Sequence, residues 1–224
     1  MEKRSYYEAY DLRYRTAHEA GVRWFGEAAS PIVGQIIEQY GISPRQKLLE
    51  LGCGEGRDAI PLLRSGFDLL ATDLSEEAIR YCRELAPDHG EHFQILDCVR
   101  GKLEGHFDFI YGVAVVHMLL KDGDRDGFYR FVRNHLTDEG VALICSMGDG
   151  KTQFQSDEKT AFALQERTCQ GKTLLVAGTS CRMVTQEQFA WELTRNGLNI
   201  LQMGITSIPE QFPEMLYAVV KRAI

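Results

Sequence analysis

Short apolar runs alternate with longer segments in which apolar residues recur every three or four positions. The short runs predict buried strands, and the longer segments predict helices with one apolar face. Alternation of this kind is typical of an α/β fold with a parallel sheet. The predicted strands lie at 48–51, 67–72, 93–96, 107–111, 141–146, 198–205 and 215–220. The last two follow one helix and are joined by a proline-bearing loop, 209–213, so we expect them to form a closing pair.

Two regions interrupt this alternation. Residues 1–45 contain Tyr7, Tyr10 and Tyr14, whose spacings of three and four place them on one helical face. That face either packs on the core or forms a lid over a ligand, and we predict a helical lid. Residues 148–184 follow the fifth strand, at the edge where such sheets bind ligands. We expect this insertion to be a substrate cap, the alternative being a peripheral excursion, within a single domain spanning 1–224.

Three glycines mark the end of the first predicted strand. Gly52, Gly54 and Gly56 stand at alternate positions, and an apolar helical pattern begins shortly after them. Glycine permits positive φ and lets a ligand approach the backbone closely. A strand, a glycine turn and a helix together predict a site for a nucleotide-like ligand.

Asp73 strengthens this prediction. It closes the second predicted strand, near the offset of about 20 residues at which dinucleotide folds place an acid on the ribose. The alternative role is a cap for the next helix. Ser75, followed by Glu76 and Glu77, already supplies a cap and the acids of a first helical turn. Asp73 is therefore predicted to accept hydrogen bonds from a ligand.

The spacing of the glycines discriminates between two ligand classes. A nicotinamide-binding turn needs a third glycine where this chain has Arg57, which fits poorly. The pattern from Glu50 through Gly52 and Gly54 to Gly56 instead resembles the first motif of the class I S-adenosylmethionine-dependent methyltransferases. The turn at 52–58, with the aromatic N-terminal helix, is similar to the small-molecule branch containing the tellurite-resistance and thiopurine methyltransferases.

This resemblance implies a fold, a cofactor and a set of site residues. The fold is a Rossmann-like, seven-stranded, mostly parallel sheet with an antiparallel C-terminal strand and helices on both faces. The cofactor is S-adenosylmethionine, with Asp73 on the ribose, Asp97 and Cys98 on the adenine, and Val113 near the methyl group. The implied cofactor-binding residues are Glu50, Gly52, Cys53, Gly54, Asp73, Leu74, Asp97, Cys98 and Val113.

The reaction implied is methyl transfer to a small-molecule acceptor by in-line displacement. His117, after the fourth strand, and Tyr14 are the candidate catalytic residues, and Asp149 is a further candidate near the expected pocket mouth. His117 can instead be a buried histidine bonded to backbone. Since no base is compelling, the sequence favours a soft or already acidic acceptor. The alternatives are an NAD(P)-dependent oxidoreductase and a non-catalytic module that binds S-adenosylmethionine.

Composition narrows the classes of partner. The formal net charge is −7 and no basic run is visible, so we expect no nucleic-acid partner. No apolar run approaches the length of a membrane span, and no signal core is apparent, so a cytoplasmic location is predicted. His89 and His92 lack a third ligand at suitable spacing, so no metal is expected. The sequence predicts no particular oligomeric state.

Overall fold

The computed structural model describes residues 4–208 and 211–223. The α-helices in these ranges are α1 (Ala9–Glu19), α2 (Pro31–Gln39), α3 (Ala59–Arg64), α4 (Glu76–Leu85), α5 (Asp122–His135) and α6 (Gln186–Arg195). The strands are β1 (Lys47–Leu51), β2 (Asp68–Asp73), β3 (Phe93–Ile95), β4 (Phe107–Val113), β5 (Leu136–Met147), β6 (Phe154–Gln155), β7 (Leu164–Cys169), β8 (Lys172–Ala177), β9 (Arg182–Met183), β10 (Leu198–Ile208) and β11 (Phe212–Arg222). Short 3-10 helices lie at Tyr6–Glu8, Pro87–His92, Val116–Met118 and Glu158–Thr160.

One seven-stranded sheet organises the fold, in the order β10-β11-β5-β4-β1-β2-β3. β1 runs parallel to β2 and β4, and the remaining neighbours are parallel as well, except around β11. β11 is antiparallel to both β10 and β5. The predicted mostly parallel sheet with an antiparallel C-terminal strand is therefore confirmed.

Alternate residues of the strands enter two separate apolar layers. Leu48 of β1 packs in the layer with α2, α3 and α4, whereas Leu49 and Leu51 pack in the layer with α5 and α6. All three leucines are fully buried. Burial of each contributes about 1.5–3 kcal/mol, so the sheet is held between helices on both faces, as predicted.

Several helix ends follow local sequence signals. Ser75 accepts a hydrogen bond from the Ala78 N–H at 3.0 Å, and Thr185 accepts one from the Gln188 N–H at 3.2 Å. Pro31 occupies the first turn of α2, where a missing N–H costs nothing. The start of α4 agrees with the cap that the sequence predicted at Ser75.

Strand boundaries depart from the prediction at β5. The strand begins at Leu136, directly after α5, and not at Val141. Leu136 pairs with Phe107, and the Thr137 hydroxyl donates to the Asp108 carboxylate at 3.1 Å. The polar residues after Leu136 conceal this extension in the sequence, because they are strand residues with partial exposure. In the closing loop, residues 209 and 210 lie outside the described residues.

The insertion 148–184 packs against α1. The Arg13 guanidinium donates to the Ala177 carbonyl at 2.7 and 3.0 Å and to the Gly178 carbonyl at 2.7 Å. The Lys172 ammonium donates to the Ala20 carbonyl at 2.7 Å. The β7–β8 hairpin therefore supports the N-terminal helix from outside.

None of the described helices has the length and apolar character needed to cross a bilayer.

Candidate functional site

A cavity of about 550 Å³ lies where β1, β2, β3 and β4 end. Its floor is the glycine turn at 52–58, which follows β1. Its roof is formed by the aromatic side chains of Tyr7, Tyr10, Tyr14 and Phe25. Parallel sheets bind ligands at this edge, beyond the carboxyl ends of the strands. The architecture thus places a cavity at the position where the sequence predicted a ligand site.

The glycines of the floor are required by space as well as by conformation. Gly52 and Gly54 adopt φ values of 74° and 52°. A Cβ on Gly52 would lie 2.4 Å from the Val115 side chain, and one on Gly54 would lie 2.7 Å from the Tyr14 hydroxyl. Such approaches exclude any side chain without movement of a neighbour, so the turn leaves bare backbone facing the cavity.

Asp73 ties the floor to the end of β2. Its Oδ2 accepts from the Gly54 N–H and its Oδ1 from the Ser75 N–H, each at 2.8 Å. Burial raises the pKa of this carboxyl, and the two backbone donors oppose the rise. A carboxylate offers about four acceptor sites, so two remain for hydroxyl donors in the cavity. Ser75 caps α4 as expected, yet Asp73 also braces the turn.

Asp97 has a similar arrangement after β3. Its Oδ1 accepts from the N–H groups of Val99 and Arg100, and its Oδ2 accepts from the Tyr7 hydroxyl at 3.2 Å. One acceptor site is left for a donor in the cavity. A roof residue thus already occupies part of the carboxylate that the sequence assigned to the adenine.

Glu50 lies beneath the floor, at the end of β1, and is 3% exposed. The Tyr111 hydroxyl donates to its Oε2 at 3.0 Å. Burial, followed by the nearby Asp58 carboxylate, raises the pKa of Glu50 well above its usual value. Glu50 therefore holds a proton more readily than an ordinary carboxyl group, and its bond to Tyr111 joins β1 to β4.

Tyr14 projects from α1 towards Gly54 and is 4% exposed. Burial raises its pKa well above the usual value, and the Asp73 and Glu55 carboxylates add to the rise. The hydroxyl is consequently neutral. It makes no hydrogen bond to another described residue, which leaves it available to a molecule in the cavity.

His117 lies elsewhere. Within the described residues, Val115, Met118 and Leu119 line the cavity, whereas His117 does not. The 3-10 helix at Val116–Met118 turns its ring into the core, where His117 is 3% exposed and its Nδ1 has no hydrogen-bond partner among the described residues. Burial, together with the charge of Arg125, lowers the pKa of His117 to about 3. The geometry does not support the base role suggested by the sequence.

Two further expectations also miss the cavity. Asp149 is in an exposed loop, where its carboxylate accepts from the N–H groups of Lys151 and Thr152 at 2.9 and 2.7 Å. Residues of the insertion 148–184 are absent from the described cavity wall. The insertion supports the cavity from outside, through the bonds of Arg13 on α1 and through Ser180, whose hydroxyl donates to the carbonyl of the wall residue Met118 at 2.6 Å. Its role as a substrate cap stays a prediction.

The wall unites the residues that the resemblance implied. The residues Glu50, Gly52, Cys53 and Gly54 come from β1 and the floor, Asp73 and Leu74 from the end of β2, Asp97 and Cys98 from the segment after β3, and Val113 from β4. Their contacts with a cofactor stay a prediction. Sequence reasoning missed Phe25, Arg57 and Phe212, which also line the cavity. The Phe25 and Phe212 rings lie 6.2 Å apart, although 187 positions separate them in the chain.

Comparisons with known proteins support the resemblance to S-adenosylmethionine-dependent methyltransferases. Residues 49–142 match the family model described as a methyltransferase domain. The chain is 31% identical over 145 residues to the O-antigen chain terminator bifunctional methyltransferase/kinase WbdD of Escherichia coli, covering 58% of this chain and 20% of that protein. It is 26% identical over 115 residues to the probable S-adenosyl-L-methionine-dependent methyltransferase TehB of Haemophilus influenzae, covering 50% of this chain and 40% of that protein. The chain therefore spans less than half the length of these curated relatives.

A solved structure extends the likeness in fold to the whole chain. The 1,6-didemethyltoxoflavin-N1-methyltransferase of Burkholderia thailandensis, crystallised with 1,6-didemethyltoxoflavin and S-adenosylhomocysteine, superposes with a TM-score of 0.67. The two are 19% identical, and the match covers 100% of this chain and 92% of that chain. The domain match and the shared fold confirm the resemblance to the class I S-adenosylmethionine-dependent methyltransferases: residues 49–142 match a methyltransferase domain, and the chain has the fold of a methyltransferase crystallised with S-adenosylhomocysteine.

Proposed function

We propose that the protein transfers the methyl group of S-adenosylmethionine to a small-molecule acceptor. The observation that carries this proposal is the cavity, because all nine implied cofactor-binding residues meet in its wall. The hydrogen-bond acceptors of the wall also suit an adenosyl ligand. Asp73 keeps acceptor sites for ribose hydroxyls, and Asp97 keeps one for an exocyclic amine.

The protein's share of the reaction is binding, alignment and exclusion of water. When bound, the cofactor supplies a methyl group activated on a sulfonium. The floor offers backbone without side chains, and the Tyr14 hydroxyl above Gly54 can donate to an oxygen of the ligand. The aromatic roof excludes water and favours a cationic centre beneath it. Alignment of this kind contributes about 7–11 kcal/mol to catalysis in favourable cases.

The charge of the wall narrows the acceptor class. Acidic residues outnumber arginines, and no lysine or histidine lines the described cavity. Apart from Glu50, which readily holds a proton, the acidic residues are Glu8, Asp11, Glu55, Asp58, Asp73, Glu76 and Asp97, and the arginines are Arg4, Arg15 and Arg57. A wall of this charge repels an anion and attracts a cation. Amines and neutral acceptors therefore fit better than the acidic acceptors that the sequence favoured.

The two alternative functions, an oxidoreductase and a non-catalytic binding module, receive different support. The domain match gives no support to a nicotinamide-dependent oxidoreductase. A non-catalytic module that binds S-adenosylmethionine stays the second candidate, because His117 does not reach the cavity. Cofactor binding without turnover would identify it.

The experiment is an acceptor panel with methyl-labelled S-adenosylmethionine. Amines, phenols, thiols and carboxylates of small size are compared by transfer of label, and the Asp73→Ala variant serves as the binding-deficient reference. We expect label on at least one amine or neutral acceptor and none with the variant. Binding of S-adenosylhomocysteine without label transfer to any class would contradict an enzymatic role.

A further inference from the structure

Glu55 links the floor of the cavity to its roof. It lies between two glycines of the turn and is 1% exposed. Its carboxylate accepts from the Trp24 N–H at 2.7 Å and from the Phe25 N–H at 2.8 Å. The chain that carries Phe25 into the roof is therefore held by a side chain of the floor.

His18 on α1 completes this link. Its Nε2 lies 2.9 Å from the Glu55 carboxylate, and its Nδ1 lies 2.6 Å from the Glu77 carboxylate on α4. The His18 side chain is 6% exposed, and its ring stacks on Tyr81 with 4.2 Å between centroids. A neutral imidazole has one N–H and can donate to one carboxylate, whereas an imidazolium donates to both. The geometry therefore fits a protonated ring that donates to both carboxylates.

The surroundings of His18 also favour the protonated ring. Burial lowers the pKa of His18, but the hydrogen bonds that its ring donates to Glu55 and Glu77 outweigh burial and leave the pKa above its usual value. The other groups that face the ring are Tyr14 on α1, Tyr81 on α4, Arg80 bonded to Glu77, and Arg23 bonded to the Glu55 carbonyl.

The charge states of these neighbours do not change over the pH range in which His18 loses its proton. Burial raises the pKa of both Tyr14 and Tyr81, so their hydroxyls stay neutral. Arginine side chains stay charged throughout the accessible pH range. For Glu77, the hydrogen bond from Arg80 lowers the pKa more than burial raises it, so this carboxylate is ionised near neutral pH. His18 is thus the group of this cluster whose charge changes as pH rises from neutral.

We propose that His18 and Glu55 are positioning residues, and that the imidazolium of His18 clamps the roof onto the floor so that its deprotonation loosens the roof and weakens retention of the cofactor. Tyr14 lies one helical turn before His18 on the same face of α1. Loss of the clamp therefore displaces the roof hydroxyl as well as Phe25. The part that concerns the cofactor rests on the proposed function.

The first test is the affinity for S-adenosylhomocysteine, measured by calorimetry from about pH 6.5 to 9. The wild-type protein is expected to lose roughly tenfold in affinity across this range beyond the change seen in His18→Gln. His18→Gln should bind more weakly at the lower pH. His106→Gln, which removes an exposed histidine outside the cavity wall, should follow the wild type. Parallel profiles for wild type and His18→Gln would overturn the proposal.

The second test needs no ligand. Hydrogen exchange of the α1 amides in the ligand-free wild type, corrected for intrinsic rates, should accelerate as pH rises through the His18 pKa. Glu77→Gln, a milder change at a partly exposed position, should accelerate exchange already at the lower pH. Unchanged protection of α1 across the range would overturn the clamp. Acceleration without binding of S-adenosylhomocysteine at any pH would support the clamp while contradicting the proposed cofactor.

Discussion

Removal of the Asp73 carboxylate is the perturbation that the site makes most informative. This side chain braces the floor through the Gly54 and Ser75 N–H groups, each at 2.8 Å, and keeps acceptor sites for the ribose. Asp73→Ala removes both functions at once. The variant should therefore lose ligand affinity strongly and stability moderately.

The two losses differ in size. Two hydrogen bonds from ribose hydroxyls to a carboxylate are worth about 1.5 kcal/mol each, or about 3 kcal/mol together. That free energy corresponds to roughly a hundredfold weaker binding. Two backbone N–H groups lose their partner in the free protein, but the cavity admits water to replace it. We expect the free energy of unfolding to fall by about 1–3 kcal/mol.

Calorimetric titration with S-adenosylhomocysteine measures the first loss, and urea unfolding measures the second. Asp68→Ala is the matched control, because Asp68 is an exposed aspartate at the other end of β2. It should bind as the wild type does. An Asp73→Ala protein that is folded and binds within about threefold of the wild type would refute the assignment of the ribose to this carboxylate.

Four other predictions follow from single contacts. Tyr14→Phe should change the free energy of unfolding by less than about 0.5 kcal/mol and weaken S-adenosylhomocysteine binding roughly tenfold in calorimetry, because the hydroxyl has no partner among the described residues. Gly54→Ala should lower the melting temperature and abolish measurable binding, since its Cβ would meet the Tyr14 hydroxyl at 2.7 Å. Arg125→Met should cost about 3–5 kcal/mol in urea unfolding, because it leaves the fully buried Glu192 carboxylate without its 2.6 Å partner. The pKa of His117 is lowered to about 3 in the folded protein, against about 6.5 in the unfolded chain. The neutral ring therefore stabilises the fold fully above about pH 6.5, and this part of the free energy of unfolding is lost at about 1.4 kcal/mol per pH unit as pH falls from about 6.5 towards about 3. His117→Phe should reduce this slope, measured by urea unfolding in that pH range.

Local patterns were sufficient to predict the sheet and the floor. The glycines at 52, 54 and 56 indicate a turn. The apolar runs before and after them indicate strands, and this signal does not depend on where a strand lies in the sheet. Asp73 and Asp97 were predictable because Asp73 ends β2 and Asp97 follows β3 within two residues. The carboxyl ends of parallel strands meet at one edge, so residues distant in sequence converge without any further signal.

The roof was only partly predictable. The spacing of Tyr10 and Tyr14 indicated a helical face, but nothing near Glu55 indicates that it bonds His18, 37 residues earlier. Phe212 enters the cavity because β11 lies antiparallel between β5 and β10, which places its first residues at the carboxyl edge of the parallel strands. Such contacts depend on tertiary packing, which periodicity does not encode.

His117 is a predicted site residue that lies outside the described cavity wall. Its position after β4 suggested a side chain at the site, and its flanking residues Val115 and Met118 do line the cavity. One turn of 3-10 helix separates these two from His117 and directs the ring into the core. A strand end locates a segment to within a few residues, but the local turn decides which of its side chains faces the ligand.

The most direct measurement is a crystal structure of the protein grown with S-adenosylhomocysteine. The account predicts the ligand beneath the roof, with its ribose hydroxyls on the Asp73 carboxylate and its amino acid portion along the floor near Gly54 and Tyr14. A cavity left vacant under saturating ligand, or a ligand bound with its ribose away from Asp73, would contradict it.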